Sequence, residues 1–386
     1  MNLTIKDVRV WPAWIPNKMK VGSVSATASI SCVVVEVTTE EGVAGHGITS
    51  ITDEEAVVAV LEGLVAPNII GLDALDREKI AETLYWLLTP RGQTGYASHA
   101  ISAIDLALWD ILGKAVGLPC WRLLGGARRS VPLYVTFGFG AFDREQLVEA
   151  AHHLRSEGVS RFKMVVGHHA LAKRNRGVDI DALLREDVVR VRLVREAIGE
   201  DSELYIDANC SLNEGAARWL IDSLRDIDIA FFEEPVRDND PVRMRELRHR
   251  TGIRIAAGQN EGQLWRFASL IREEAADVLQ PNAVICGGFT AAGKVAALAQ
   301  ANNVDLANGG AFPFHNGHLH AGLVNGGLVE WHLAAVEMCR TLFLGLPEKE
   351  GQTLGLSDRP GLGFDLNYDA LEDFARRATA HGHGKG

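Results

Sequence analysis

The chain contains, one after another, ELYIDAN (203–209), IAFFEEP (229–235) and IRIAAGQ (253–259), three short apolar runs that each end in polar side chains. The residues that close the runs are Asp207, Glu233 and Gln259, and each lies 26 positions after the previous one. Apolar runs at this spacing, separated by amphipathic helices, are typical of βα units in a parallel sheet. The equal spacing therefore predicts that the three side chains lie at the same height on adjacent strands.

The same pattern continues on both sides of this stretch. Five further runs are VPLYVTFGF (131–139), RFKMVVG (161–167), DVLQPN (277–282), VDLANG (304–309) and GLVEWH (327–332). The segments between the runs carry apolar residues at helical spacing with charged residues on the opposite face, as helices on the outside of a barrel do. Eight consecutive βα units predict a closed barrel rather than an open sheet.

The first third of the chain has a different pattern. Alternation typical of strands at 3–11, 31–38 and 45–49 is followed by helical periodicity at 53–64, 77–88 and 98–116. We therefore expect an α/β protein with an α+β capping domain, residues 1–128, followed by a modified TIM (β/α) barrel, residues 129–345. The segment from about 346 to 386, which begins rich in Gly and Pro, is expected to complete the capping domain.

Composition restricts the class of partner. The formal net charge of −11 disfavours nucleic acid and anionic membrane, because both require a concentrated basic surface. No apolar run approaches the roughly 20 residues that span a bilayer. Five widely spaced cysteines without a C-x-x-C pair argue against disulfides and thiolate zinc sites, which favours the cytoplasm. We expect a small-molecule carboxylate as the partner, and a homo-oligomer.

Polar side chains at the ends of barrel strands are candidates for chemistry, since active sites of barrel enzymes lie at that face. The oxygens of Asp207, Glu233 and Gln259 are hard ligands of the kind that Mg²⁺ prefers. Two carboxylates that converge without a cation would repel each other, which also favours a metal. The alternative for any one of them is a helix N-cap or an anchor for a loop.

Several motifs resemble the enolase superfamily, and within it the mandelate racemase subgroup. The matching segments are YIDAN (205–209), FFEEP (231–235), AAGQN (256–260), QPN with CGG (280–282 and 286–288), LVEW (328–331), and ISAIDLALWDILGKAVGLPCWRLLGG (101–126). The resemblance implies an α+β cap over a modified barrel, and a Mg²⁺ ion that binds both the protein and the carboxylate of the substrate. It implies removal of the proton beside that carboxylate.

The chain departs from the family at the third metal ligand. An acid is usual there, whereas this sequence has Gln259, as the glucarate dehydratase branch has an amide; Glu261 is a second candidate. The strand that carries Lys-x-Lys in the family has Lys163 followed two residues later by Val165. We predict that Lys163 is either the base that removes the proton or a contact to the substrate carboxylate.

The opposite face of the site also departs from the family. Asn282 and Asn308 match the positions of an Asp–His dyad, and neither can act as a base. With Asn209 and Lys20, we assign them to substrate binding. His315 and His318 are predicted to supply the missing acid or base, because histidine titrates near neutral pH, whereas His320 is expected to be structural.

Glu330 matches the acid on the eighth strand of the family and is predicted to donate a hydrogen bond to the substrate carboxylate as negative charge develops. One base and one acid suffice for dehydration of a sugar acid or a related hydroxy acid to a 2-keto acid, which makes the protein a lyase. The alternatives are a racemase, an epimerase or a cycloisomerase with unusual bases, and a non-catalytic homologue that retains the metal site.

Overall fold

The structure, a computed structural model, describes residues 2–92, 94–168 and 170–380. It begins with an antiparallel sheet of three strands, β1 (Ile5–Val21), β2 (Val24–Thr39) and β3 (Ala44–Ser50), in that order. The β1–β2 hairpin extends ten residues beyond the predicted end at position 11. Pro12 is tolerated in β1 because the strand lies at the edge of its sheet, where an amide hydrogen is not needed on the open side.

Helices follow this sheet in the chain. They are α1 (Glu54–Val60), a π-helical turn (Leu61–Val65), α2 (Ala66–Ile69), α3 (Arg77–Gly92), α4 (Tyr96–Val116) and α5 (Cys120–Leu123). Of these, α1 and α4 pack against the strands of the sheet. The longest, α4, lies directly on β3. Two glycines in β3 permit this approach: a Cβ atom on Gly47 would lie 2.0 Å from the carbonyl oxygen of Ala103, and one on Gly45 2.2 Å from that of Ala107.

Eight parallel strands form the barrel that the sequence predicted. They are β4 (Ser130–Gly138), β5 (Arg161–Val165), β6 (Glu203–Asp207), β7 (Phe231–Glu233), β8 (Ile255–Ala257), β9 (Val278–Leu279), β10 (Asp305–Leu306) and β11 (Val329–His332). From β4 to β10 each strand pairs with the next, and β11 pairs with β4. A hydrogen bond of 2.8 Å from the amide of Asn308 to the carbonyl of Leu328 joins the last two strands and closes the ring.

The barrel helices surround these strands. They are α6 (Arg144–Ser156), α7 (Ala170–Arg174), α8 (Ile180–Ile198), α9 (Glu214–Ser223), a 3-10 turn (Arg237–Asn239), α10 (Pro241–Thr251), α11 (Leu264–Arg272), α12 (Gly288–Ala301), α13 (Pro313–Gly322) and α14 (Leu333–Leu342). Asp143, Asn213 and Asp240 cap three of them by accepting hydrogen bonds from amides of the first turn, which would otherwise lack partners.

The C-terminal segment contacts both parts of the molecule. It contains β12 (Phe343–Leu344), β13 (Lys349–Glu350), β14 (Thr353–Gly355), β15 (Asp365–Leu366) and α15 (Tyr368–Ala380). Strand β14 pairs with β4 of the barrel, whereas Glu372 in α15 accepts hydrogen bonds from Arg9 and Trp11 of β1. Among the residues described, no helix is long and apolar enough to cross a membrane.

An apolar layer fills the lower part of the barrel interior. Tyr134, Tyr205 and Phe231 are in ring contact, with centroids 4.4 to 6.3 Å apart, and all three are buried. This layer forms a floor, so that polar side chains above it face the opposite end of the barrel. The site therefore lies at the C-terminal ends of the strands, where active sites of this architecture are found.

Candidate active site

A cavity of about 70 Å³ opens at the C-terminal ends of the barrel strands. Acidic, amide, hydroxyl, imidazole and apolar side chains surround it: Asp207, Glu330, Asn209, Gln259, Asn260, Thr136, His332, Ile51, Val165 and Ile285, with the backbone of Gly310. Ile51 belongs to the N-terminal domain, and the other residues lie at or after barrel strands. The cavity is thus built by the barrel and covered in part by the cap.

Three carboxylates converge on one ammonium group beneath the cavity. Lys163 Nζ lies 3.1 Å from Asp207 Oδ2, 2.8 Å from Glu233 Oε1 and 2.9 Å from Glu330 Oε1. All four side chains are buried. The register explains the meeting, since Asp207 pairs directly with Glu233 on neighbouring strands and Lys163 lies on the strand before them.

The charges in this cluster depend on one another. Burial raises the pKa of Glu233 well above its usual value, and the nearby Asp207 raises it further. Burial alone would lower the pKa of Lys163, but Glu233 and Glu330 raise it well above the usual value. Although burial disfavours ionisation of Glu330, Lys163 holds the pKa of that carboxyl below its usual range. The lysine is therefore an ammonium ion in this arrangement and Glu330 a carboxylate.

Gln259 presents its oxygen to the cavity. Its amide nitrogen donates to Asn209 Oδ1 at 2.9 Å and to Glu234 Oε2 at 3.3 Å, which leaves Gln259 Oε1 as the atom that can reach a cation. Glu261, the other candidate for this position, instead forms a salt bridge of 2.7 Å with Arg266 and does not border the cavity. The structure thus brings Gln259, rather than Glu261, to the site.

The donor set fits a hard divalent cation. In the part of the chain that is described, no three His, Cys, Asp or Glu side chains are arranged as a metal site. The candidate set contains two carboxylates and one amide oxygen, and the ammonium group of Lys163 lies between the carboxylates. Asp207 and Glu233 nevertheless lie side by side in a buried place, where burial and Asp207 raise the pKa of Glu233, and a bound cation would favour the ionised form of both.

Comparison with known proteins agrees with this architecture. Residues 2–125 match the mandelate racemase / muconate lactonizing enzyme N-terminal domain, and residues 146–370 match the enolase C-terminal domain-like family. The chain belongs to the mandelate racemase subgroup of the enolase superfamily. The predicted fold class, a capping domain with a modified barrel, is confirmed.

Three relatives show the range of this subgroup. A 3,6-anhydro-alpha-L-galactonate cycloisomerase of Streptomyces coelicolor is 28% identical, over 92% of this chain and 95% of its own. An L-talarate/galactarate dehydratase of Salmonella typhimurium is 30% identical, over 92% of this chain and 85% of its own. The crystal structure of L-talarate dehydratase from Polaromonas sp. JS666, complexed with Mg and L-glucarate, superposes with a TM-score of 0.81 at 28% identity, covering 96% of this chain and 97% of that one.

The two asparagines at the dyad positions of the subgroup do not reach the cavity. Asn282 donates to the carbonyl oxygens of Gly309 and Gly310 at 3.0 and 2.7 Å. Asn308 accepts from the amide of Glu330 at 3.1 Å and donates to Gly309 at 2.9 Å. Both are fully buried and hold the loop after β10 and the strand that carries Glu330, so this geometry does not favour substrate binding by them, which stays a prediction.

The histidines of α13 also lie away from the cavity. The ring of His315 packs against Phe343 and Phe364, with centroids 5.5 and 5.1 Å away, and neither ring nitrogen has a hydrogen-bond partner. Both nitrogens of His318 are occupied, by the amide of Trp121 and the carbonyl of Leu362. Burial lowers both pKa values and neither ring borders the cavity, so this geometry does not favour an acid or base among them, which stays a prediction.

Of the remaining predicted residues, some border the cavity and others do not. Asn209 borders the cavity, whereas Lys20 is exposed near the end of the β1–β2 hairpin and is not part of the lining. His320 accepts from the amide of Gly327 at 3.0 Å and is buried, in keeping with the structural role expected for it. Glu330 borders the cavity, but as a carboxylate it accepts hydrogen bonds, from the amide of Ala311 at 2.6 Å for example, and does not donate one.

Sequence reasoning missed Thr136 and His332. Thr136 lies near the end of β4 and contacts Glu330 through its hydroxyl group. His332 lies two residues after Glu330, and alternate residues of a strand face the same side. The alternation of side chains in LVEWH therefore indicates that His332 faces the same side as Glu330. A larger open groove, of about 490 Å³ beside α9 and α10, contains none of the predicted residues.

Proposed function

We propose that the protein is a Mg²⁺-dependent hydro-lyase that removes the proton beside a carboxylate and dehydrates a sugar acid or related hydroxy acid to a 2-keto acid. The observation that carries this proposal is the convergence of three buried carboxylates with an amide-lined cavity above the barrel floor. Relatives of the same subgroup named as dehydratases, and one crystallised with Mg and an acid sugar, support it.

Asp207, Glu233 and Gln259 would hold the metal ion. When bound, Mg²⁺ supplies Lewis acidity that neutralises the substrate carboxylate and stabilises the negative charge formed on it. Asn209 contributes by fixing the amide nitrogen of Gln259, so that the oxygen of that amide faces the cavity. Glu233 is fixed from below by Gln280, whose amide nitrogen donates to Glu233 Oε2 at 3.0 Å.

Lys163 would anchor the carboxylate of the substrate. The two roles predicted for this residue require different protonation states, because a base must be neutral and an anchor must be charged. Its three carboxylate neighbours favour the ammonium ion. We therefore propose that the ammonium form anchors the carboxylate, with Glu330 and Thr136 keeping the amine in place. A cation held by Asp207 and Glu233 would offset their charge and favour the neutral amine, which would then take the proton beside the carboxylate.

The cavity supports a monocarboxylate as the substrate. In the described part of the lining there is no arginine or lysine, and Lys163 lies beneath it as the single nearby ammonium group. A second carboxylate would therefore meet Asp207, Glu330 and amides rather than a cation, and would lose its hydration without an ionic partner. A hydroxylated acid with one carboxylate avoids this cost.

A cycloisomerase is the second candidate function. A relative with that name covers 92% of this chain at 28% identity, much as the dehydratases do. Racemisation is less well supported, because it needs a base on each face of the α-carbon, and Val165 occupies one base position. A metal-binding homologue without catalysis is the remaining alternative.

Incubation with mono- and diacid sugars, Mg²⁺ and D₂O tests the proposal. The expected result is a 2-keto acid from a monoacid, detected by NMR, that disappears in Asp207→Asn and on removal of the metal by a chelator. Ring opening or closure without loss of water would identify the cycloisomerase. Deuterium uptake into an otherwise unchanged acid would identify an epimerase or a racemase.

A further inference from the structure

His332 borders the cavity at the end of β11. It is on the same face of the strand as Glu330, two residues closer to the mouth, which corresponds to about 6–7 Å along the strand. If the carboxylate of a ligand lies near Lys163 and Glu330, the carbon atoms that follow the carboxylate would therefore lie beside His332. This places an imidazole beside the hydroxylated part of the substrate.

The orientation of the imidazole is fixed by the helix that follows. His332 is the N-cap of α14, and its Nδ1 atom accepts a hydrogen bond of 3.3 Å from the amide of Ala335. The ring packs against Phe139, with centroids 4.8 Å apart. Because Nδ1 must be unprotonated to accept, the proton of the neutral ring is on Nε2, and Nε2 is the nitrogen left for a ligand.

The surroundings favour the neutral ring. Burial lowers the pKa of His332, the carboxylate of Glu330 raises it, and the ammonium of Lys163 lowers it again, with a net decrease. The positive end of the α14 dipole also disfavours an added proton. A neutral imidazole at a helix N-terminus can act as a hydrogen-bond donor to an oxygen that gains negative charge.

No other imidazole borders the cavity among the residues described. The other nitrogen donors of the lining are the amides of Asn209, Gln259 and Asn260 on the side of the metal ligands, while Val165 and Ile285 are apolar. On β11 the side chains that border the cavity are Glu330 and His332, and His332 is the one that can donate a hydrogen bond.

We propose that His332 is a residue that contacts the substrate, in which Nε2–H of the neutral imidazole donates a hydrogen bond to an oxygen on the carbon chain beyond the carboxylate. This inference rests on the proposed function, in that the ligand is a hydroxy acid. It adds to that function that β11, rather than the dyad positions of the subgroup, recognises the hydroxyl or ether oxygen of the substrate.

Two variants distinguish the role of His332 as a hydrogen-bond donor from its role as the helix cap. In His332→Asn the side-chain oxygen can still accept from the amide of Ala335, but the side chain is too short to donate where Nε2 does. In His332→Gln the terminal amide can occupy the place of Nε2. We expect His332→Asn to unfold within a few degrees of the wild type and to bind Mg²⁺ equally well by calorimetry, since His332 is not a proposed ligand.

The probe is the tightest binder among D-gluconate, D-galactonate, D-mannonate and L-gulonate in the presence of Mg²⁺, with hexanoate as a ligand of equal chain length that lacks hydroxyl groups. We expect His332→Asn to bind the aldonate about 5- to 50-fold more weakly, the effect of one lost hydrogen bond in a desolvated site, with partial recovery in His332→Gln. Hexanoate affinity should be the same in all three proteins.

Equal aldonate affinity in the wild type and His332→Asn would overturn the inference while leaving the proposed function in place, because the wild type would still bind the acid. An equal loss of hexanoate affinity would also overturn it, since the effect would then be structural. Long-range ¹H–¹⁵N NMR of the wild type at pH 7.5 should show the His332 proton on Nε2, and a proton on Nδ1 would contradict the assignment. Failure of every aldonate to bind the wild type would count against the proposed function itself.

Discussion

At the residue scale, one buried ammonium group contacts three carboxylates at the C-terminal end of the barrel. Lys163, Asp207, Glu233 and Glu330 lie together, as strand ends in equal register require. The protonation of these groups depends on neighbours that only closure of the barrel brings together. The order of residues along the chain does not contain this information. The same limit explains His315, since a histidine-rich helix does not reveal which of its faces is turned towards a site.

The proposed metal ligands give the first prediction. Asp207→Asn and Glu233→Gln should each lower Mg²⁺ affinity by at least about tenfold, because each removes a full negative charge from a buried group of donors. Isothermal titration calorimetry measures this directly. Glu203→Gln is the matched control, as Glu203 is exposed at the start of the same strand as Asp207. Unchanged affinity in both ligand variants would show that the ion binds elsewhere.

A second prediction concerns Lys163. Lys163→Met should destabilise the metal-free protein by about 3–5 kcal/mol, because it leaves three buried carboxylates without a cation. Mg²⁺ should then raise the melting temperature of this variant more than that of the wild type, since the ion would neutralise the same carboxylates. Thermal unfolding with and without Mg²⁺ measures both effects. An equal rise in the melting temperature of the two proteins would show that the metal ion binds away from the carboxylates that contact Lys163.

At the scale of elements, the βα pattern was strong enough to predict every barrel strand. All eight predicted runs contain a strand, because each is a short apolar run followed by a segment whose apolar residues recur at helical spacing. The β1–β2 hairpin was predicted too short, since strand alternation was assigned only to 3–11 and 31–38, whereas the strands are Ile5–Val21 and Val24–Thr39. Glu330 was predicted from its match to the acid of the family, whereas His332, at the end of the same run, has no counterpart in the quoted motifs.

The contact of β3 with α4 gives a prediction at this scale. Gly47→Ala should lower the free energy of unfolding by at least about 2 kcal/mol, because the new Cβ atom would lie 2.0 Å from the carbonyl oxygen of Ala103. Gly293→Ala in α12 is the control: no atom lies within 4 Å of the added Cβ, and alanine favours the helix by about 0.5–1 kcal/mol. Denaturant unfolding compares the two variants. Similar stability of the two variants would mean that β3 and α4 are further apart than the structure has them.

At the scale of the whole molecule, His318 lies where the cap, the barrel and the C-terminal segment meet. It accepts from the amide of Trp121 and contacts the carbonyl of Leu362, and burial lowers its pKa to about 4. An unfolded histidine has a pKa of about 6.5, so the unfolded chain binds the proton more tightly. The stability that the neutral ring contributes above pH 6.5 is therefore lost as pH falls towards 4.

This gives a prediction for pH dependence. The loss of stability between pH 7 and 4.5 should be smaller in His318→Gln than in the wild type by on the order of 2 kcal/mol, because the glutamine does not titrate. His249→Gln, which replaces an exposed histidine, should keep the slope of the wild type. Denaturant unfolding across this range is the measurement. Parallel curves for the wild type and His318→Gln would show that this junction does not titrate.

The central claim for the whole molecule is metal-dependent removal of the proton beside a carboxylate, followed by loss of water. The most direct measurement is ¹H NMR of the protein with a panel of aldonates and Mg²⁺ in D₂O. We expect that at least one aldonate is converted to a 3-deoxy-2-keto acid, and that a chelator stops the conversion. Absence of both conversion and α-deuterium exchange across the panel, in protein that is folded and binds Mg²⁺, would contradict it.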